Sequence, residues 1–169
     1  MNSYTPHQSK YFAEQILLQR PQSSIDGLVS AMSGVKVDLN PHQVDAALFA
    51  VKSPLSTGAL LADEVGLGKT IEAGLVLAQC WAERRRHILL IVPAALRMQW
   101  RSELFEKFYI DSLLMESAVY NKLRKEGVTN PFDVRDRVVV CGFQFCAKKA
   151  IDLELVAWGL VIIYEAHRV

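Results

Sequence analysis

From residue 58 onward the chain alternates short unbroken apolar runs with longer amphipathic stretches. The runs are GALLA at 58–62, HILLIV at 87–92, SLLM at 112–115, RVVVC at 137–141 and GLVIIY at 159–164. None alternates apolar with polar positions, the pattern of strands covered on both faces. The stretches between them, such as 70–85 and 95–106, carry helical periodicity. Strands alternating with helices predict an α/β fold with a mainly parallel sheet and helices on both sides. TNPF at 129–132 reads as a turn between elements rather than a domain linker.

The first 38 residues have another character and predict a short helical N-terminal segment. One helix covers 11–20 and is closed by Pro21; a second places Ile25, Leu28, Val29 and Met32 on one face and ends at Gly34. A third begins with Asn40 as N-cap and Pro41 at its first position, with Val44, Ala47, Leu48 and Val51 on one face.

Composition narrows the class of protein. The 169 residues suffice for one domain with a substantial core, and 51% are hydrophobic. Nineteen basic against 18 acidic residues give +1, so contact with nucleic acid has to be local. No apolar run reaches the roughly 20 residues that span a bilayer, and the start of the chain has no signal core; a cytoplasmic protein is expected. Cys80, Cys141 and Cys146 lack metal-ligand spacing and read as reduced core thiols. His42 and His87 have no partners at ligand spacing either.

The stretch LLADEVGLGKTIEAGLVL, 60–77, carries the chemistry. An apolar run enters a loop with Gly66 and Gly68, then Lys69, Thr70 and an amphipathic helix. Glycines let backbone N–H groups approach phosphate oxygens, and the helix N-terminus adds partial positive charge. Lys69 is expected to reach the β- and γ-phosphates and the Thr70 hydroxyl to ligate magnesium. The strict phosphate-loop pattern has Gly where this chain has Asp63. After the second run, Trp100 is expected to pack on the sheet, while Arg97 and Arg101 read equally as contacts to a nucleic-acid backbone or as solvated charges. WAERRRH, 81–87, reads as the last turn of the phosphate-loop helix, its cations complementing the dipole. The last run delivers Glu165 at a strand end, where nucleotide hydrolases place acidic groups, but Tyr164 stands directly before it.

In order and spacing, residues 39–169 resemble the Swi/Snf-type ATPases of helicase superfamily two, double-stranded DNA translocases related to DEAD/DEAH-box helicases. LNPHQ resembles their adenine-reading Q motif, with Gln43 as its glutamine. LLADEVGLGKTIEAG resembles motif I, in which Asp at position 63 is usual; LLIVPAALRMQWRSEL is similar to motif Ia and VIIYEAHRV to motif II. The leader more loosely resembles that of bacterial members linked to restriction and phage defence. The resemblance implies a three-layer RecA-like ATP-binding lobe over 39–169, preceded by the helical extension 1–38. It implies ATP and magnesium as cofactors, and nucleotide contacts from Gln43 and from the loop Asp63, Glu64, Val65, Gly66, Leu67, Gly68, Lys69 and Thr70. It further implies that Glu165 activates water, that His167 couples the site to the motor, and that double-stranded DNA is approached through Arg97 and Arg101.

Two positions depart from the family pattern. Its magnesium-holding Asp corresponds to Tyr164, and Gly159 stands where W-D-L is expected. A phenol is uncharged at neutral pH and offers a metal no charge. The resemblance also leads to the expectation of a lobe truncated after motif II, without the second lobe and its arginine finger; a second-lobe chain or defence-system proteins are the further partners it suggests. The resulting expectation is an ATP-binding lobe without turnover on its own; the alternative is a non-catalytic regulatory or DNA-binding remnant. A guanine-specific P-loop protein fits less well, because NKLR at 121–124 puts Arg124 where N-K-x-D requires Asp.

Overall fold

A computed structural model of the chain describes residues 40–52, 58–62 and 68–166. The helices expected at 11–20 and 24–34, the loop residues Asp63 to Leu67 and His167 lie outside them. Helix α1 spans Pro41–Lys52 and α2 Lys69–Ala82; strand β1, Ile88–Val92, leads through a 3-10 turn at Ala94–Leu96 into α3, Arg97–Phe108. Strand β2, Ser112–Leu114, is followed by α4, Ser117–Lys125, and β3, Val138–Gly142, by α5, Phe143–Lys148, and α6, Ala150–Glu154; β4 is Leu160–Ile163.

The four strands form one sheet in the order β2-β3-β1-β4, and every pairing is parallel. Parallel neighbours need crossovers, which the helices supply, so alternate residues of one strand enter two different cores. Ile88, Leu90 and Val92 of β1 join Val138 and Val140 of β3 against Ala47 of α1, Leu75 and Leu77 of α2, and Trp100 and Leu104 of α3. Leu89, Val139 and Cys141 face the other way, onto Tyr120 of α4, Cys146 of α5 and Phe132. Three layers result, as the apolar runs predict. The three cysteines are free and buried.

The chain departs from expectation at two of the apolar runs. Residues 58–62 are not a strand: they form irregular backbone, and Leu60 is 80% exposed. A strand exists only through a partner for its backbone, and no described residue pairs with this run; apolarity alone cannot supply one. Strand β4 pairs only with β1 among the described residues, so Val161 and Ile163 remain 44% and 49% exposed rather than covered on both faces.

Helix ends account for two further differences. Helix α2 stops at Ala82 rather than running to 85. Arg84 takes φ 59°, and N–H groups of Arg84 and Arg85 donate to the carbonyls of Trp81 and Cys80 at 3.0 and 2.9 Å. This is a Schellman closure made without glycine. The cations therefore lie just past the last turn, where Arg86 stacks 4.2 Å from the Trp81 ring and donates to the Trp81 carbonyl. The same turn explains Gly159. A Cβ there would come 2.5 Å from the Arg86 carbonyl oxygen, and the Gly159 N–H donates to His87 O at 3.0 Å. Gly159→Asp, which restores the residue expected from the family pattern, is therefore predicted to lower stability by about 1–3 kcal/mol through overpacking. Thermal melting checks this; an unchanged or raised Tm would show that the two segments are not packed this tightly.

Candidate nucleotide-binding site

All four strands point their carboxyl ends to one edge of the sheet, the edge at which open α/β sheets bind ligands. Helix α2 begins there. Its N-cap, Gly68, has φ 93°, and its carbonyl accepts hydrogen bonds from Ile71 and Glu72 at 2.7 and 3.2 Å. Glycine is required at this point twice over, by the positive φ and by space: a Cβ on Gly68 would fall on the side-chain amide of Gln43. Gln43 is 5% exposed and doubles as part of the α1 cap, its Oε1 accepting from the Asn40 N–H at 3.2 Å. The structure thus brings Gln43 against the start of the phosphate-loop helix. Lys69 and Thr70 form the first turn of that helix, both partly buried.

Opposite them, β4 ends. The Tyr164 N–H donates to the Ile91 carbonyl at 2.9 Å, prolonging the β1–β4 ladder by one residue and fixing where the phenol goes. Its hydroxyl lies 3.1 Å from Thr70 Oγ1, and either can donate. The ring meets Trp100 edge-on, centroids 5.2 Å apart at 77°. Trp100 is 2% exposed, so it packs on the sheet as expected and also buttresses Tyr164. That contact had no signal in the sequence, because Trp100 and Tyr164 stand on different elements 64 positions apart. Glu165 follows in a turn at φ 60°.

Arg97 and Arg101 part company. The Arg97 side chain donates to the Ala94 carbonyl at 3.2 Å and reaches Glu116 at 3.3 Å, whereas Arg101 is exposed on the outer face of α3. His87 pairs with a carboxylate, 2.6 Å from Asp133, and this hydrogen bond holds the Asp133 carboxyl below the usual range. NKLR lies inside α4 and not in a loop after a strand, which removes the guanine-reading alternative.

Over residues 18–169 the sequence matches the SNF2-related domain family. The chain belongs to this family. RNA polymerase-associated protein RapA of Yersinia pestis (strain Pestoides F) is 36% identical over 142 residues, which are 82% of this chain but 14% of RapA. RapA of Yersinia pseudotuberculosis serotype O:1b (strain IP 31758) gives the same figures. The Sulfolobus solfataricus SWI2/SNF2 ATPase core, solved in complex with dsDNA, superposes with a TM-score of 0.65 at 21% identity, covering 80% of this chain and 27% of that one. That likeness shows the fold, an α/β lobe of the SWI2/SNF2 type. The chain therefore spans about one seventh of the curated SNF2-related relatives it matches.

A magnesium ion, which SNF2-type ATPases imply, has little to bind at this SNF2-related site. Hard divalent cations favour several oxygens, carboxylates among them. Among the described residues, the hydroxyls of Thr70 and Tyr164 face each other here and are already bonded. Among the described residues no three His, Cys, Asp or Glu side chains converge on one point. Thr70 and Tyr164, bonded to each other, do not fit the metal. No helix among the described residues is long and apolar enough to cross a membrane.

Proposed function

We propose that this chain is the ATP-binding lobe of a DNA-dependent, helicase-like translocase, one that binds adenine nucleotide but does not turn it over by itself. The observation that carries the reading is the meeting of Gly68, Lys69 and Thr70 at the head of α2 with the end of β4, where Tyr164 touches Thr70 at 3.1 Å. A helix N-terminus with a lysine in its first turn is an anion site, and the apposed strand end is where the second half of a nucleotide site belongs. Gln43 beside Gly68 extends the site toward the base. Asp63 to Leu67 supply the rest of the phosphate loop in this reading.

DNA engagement follows from the family, and the SWI2/SNF2 core of known structure was solved with dsDNA. Arg101 is the better candidate for a phosphate contact, because Arg97 is engaged with Glu116. RapA is described as RNA polymerase-associated, so a polymerase joins double-stranded DNA and defence-system proteins as proposed partners, in the cytoplasm. Tyr164 favours one variant of this reading: a regulatory lobe that keeps binding and has lost hydrolysis.

Calorimetric titration of ATP into the whole chain and into Lys69→Ala tests the reading. Removing a charge-assisted contact of about 1.5–3 kcal/mol is expected to weaken binding roughly 10- to 100-fold. Unchanged affinity would overturn the assignment of the phosphate site.

A further inference from the structure

Resting on the nucleotide-site reading above, we infer that Tyr164 makes this a metal-independent site: its hydroxyl pair with Thr70 stands in place of a hydrated cation, and the ligand is magnesium-free adenine nucleotide.

Tyr164 is held at three points. The backbone of Tyr164 is fixed by its hydrogen bond to Ile91 at 2.9 Å, its ring by the edge-on contact with buried Trp100, and its hydroxyl by Thr70 Oγ1 at 3.1 Å. The ring is also packed against the core cluster that α2 and α3 share with the sheet. To admit an octahedral cation beside Thr70, the phenol would have to leave this contact, and the phenol itself offers the cation no carboxylate. Two hydroxyls joined by one hydrogen bond still have one hydrogen to donate. Thr70 stands at the head of α2, where such a hydrogen suits a phosphate oxygen. The site then recognises phosphate with a hydroxyl, the Lys69 ammonium and the N-terminal amides of α2.

This donor set has a consequence for ligand choice. A bound metal bridges the β- and γ-phosphates and offsets their charge. Without it, the γ-phosphate brings extra repulsion and little extra contact. ATP and ADP should therefore bind about equally, and magnesium in solution, by complexing the free triphosphate, should not help.

The experiment is titration of ATP and of ADP into the full chain, each with excess magnesium and with excess chelator, repeated on Tyr164→Phe and Tyr164→Asp. For the unaltered chain, affinity with chelator should equal or exceed that with magnesium, and ADP should match ATP within about threefold, less than the tenfold that 1.4 kcal/mol represents. Tyr164→Phe keeps the ring on Trp100 and loses the hydroxyl that orients Thr70 Oγ1, so binding in chelator should weaken about 2- to 10-fold, the worth of one well-aligned hydrogen bond. Tyr164→Asp should create a magnesium dependence the unaltered chain lacks; circular dichroism verifies that both variants are folded. Binding by the unaltered chain that magnesium strengthens about tenfold or more would overturn the inference and leave the nucleotide site standing. Unchanged affinity in Tyr164→Phe would overturn the hydroxyl's part in it. Absence of nucleotide binding under every condition would overturn the underlying reading and this inference with it.

Discussion

Replacing Trp100 with Ala should lower the unfolding free energy by about 3–5 kcal/mol, the range for truncating a buried aromatic side chain. For a chain of this size that corresponds to a fall in Tm of roughly 10 °C. The residue is 2% exposed and belongs to the core between the sheet and α1, α2 and α3. Because its ring meets Tyr164 edge-on, at 5.2 Å, the cavity would open beneath the candidate site. Aromatic pairs of this geometry add about 0.5–1.5 kcal/mol beyond burial. The loss should therefore be partly shared: Tyr164→Ala in a Trp100→Ala background should cost less than it does alone. Chemical denaturation of the four proteins of this double-mutant cycle measures the coupling. Strictly additive losses would mean that the two rings do not support each other.

How far the sequence reached can be judged from such residues. Strands β1 and β3 were legible because both faces of each are covered, by α1–α3 on one side and α4–α6 on the other, so their apolar runs have no polar interruption. The run at 58–62 is as unbroken but holds no β-branched residue and is no strand, with Leu60 80% exposed. Hydrophobicity records a tendency to be covered and does not name the partner that must provide the hydrogen bonds. Near the site, local chemistry was readable: the head of α2 and the end of β4 fall at one sheet edge because every strand is parallel. Gln43 was placed there only by family resemblance, and the structure supplies the physical reason in the bare Cα of Gly68. The fate of Arg97 was not readable at all. Its partner Glu116 lies 19 positions away and across a strand, a distance over which spacing carries no information.

The purified chain is expected to hydrolyse ATP at no more than background rate, whether or not double-stranded DNA is added. Phosphoryl transfer asks a protein mainly for positioning and for positive charge around the transferring group. Within the described part of this site Lys69 supplies such a charge, and the position where the family pattern has a metal-holding carboxylate is filled by Tyr164. Without the metal, the developing charge on the phosphoryl oxygens is poorly offset, and a single additional cation such as a finger arginine is worth about 10³–10⁵ in rate. Glu165 cannot recover that factor. A carboxylate can orient or deprotonate water, which contributes about 10²–10⁴, but only toward a phosphorus whose leaving group is already stabilised. Glu165 also sits in a turn at φ 60°, on the far side of Tyr164 from the β4 ladder. In the proposed reading DNA has no such charge to bring into play, so substitution of Arg101 should alter affinity for DNA without altering turnover. Phosphate release, followed with and without duplex DNA, checks the expectation against Glu165→Ala as the blank. Turnover well above background that disappears in Glu165→Ala would show that Tyr164 does not exclude the chemistry, and that the charge comes from a group outside residues 68–166.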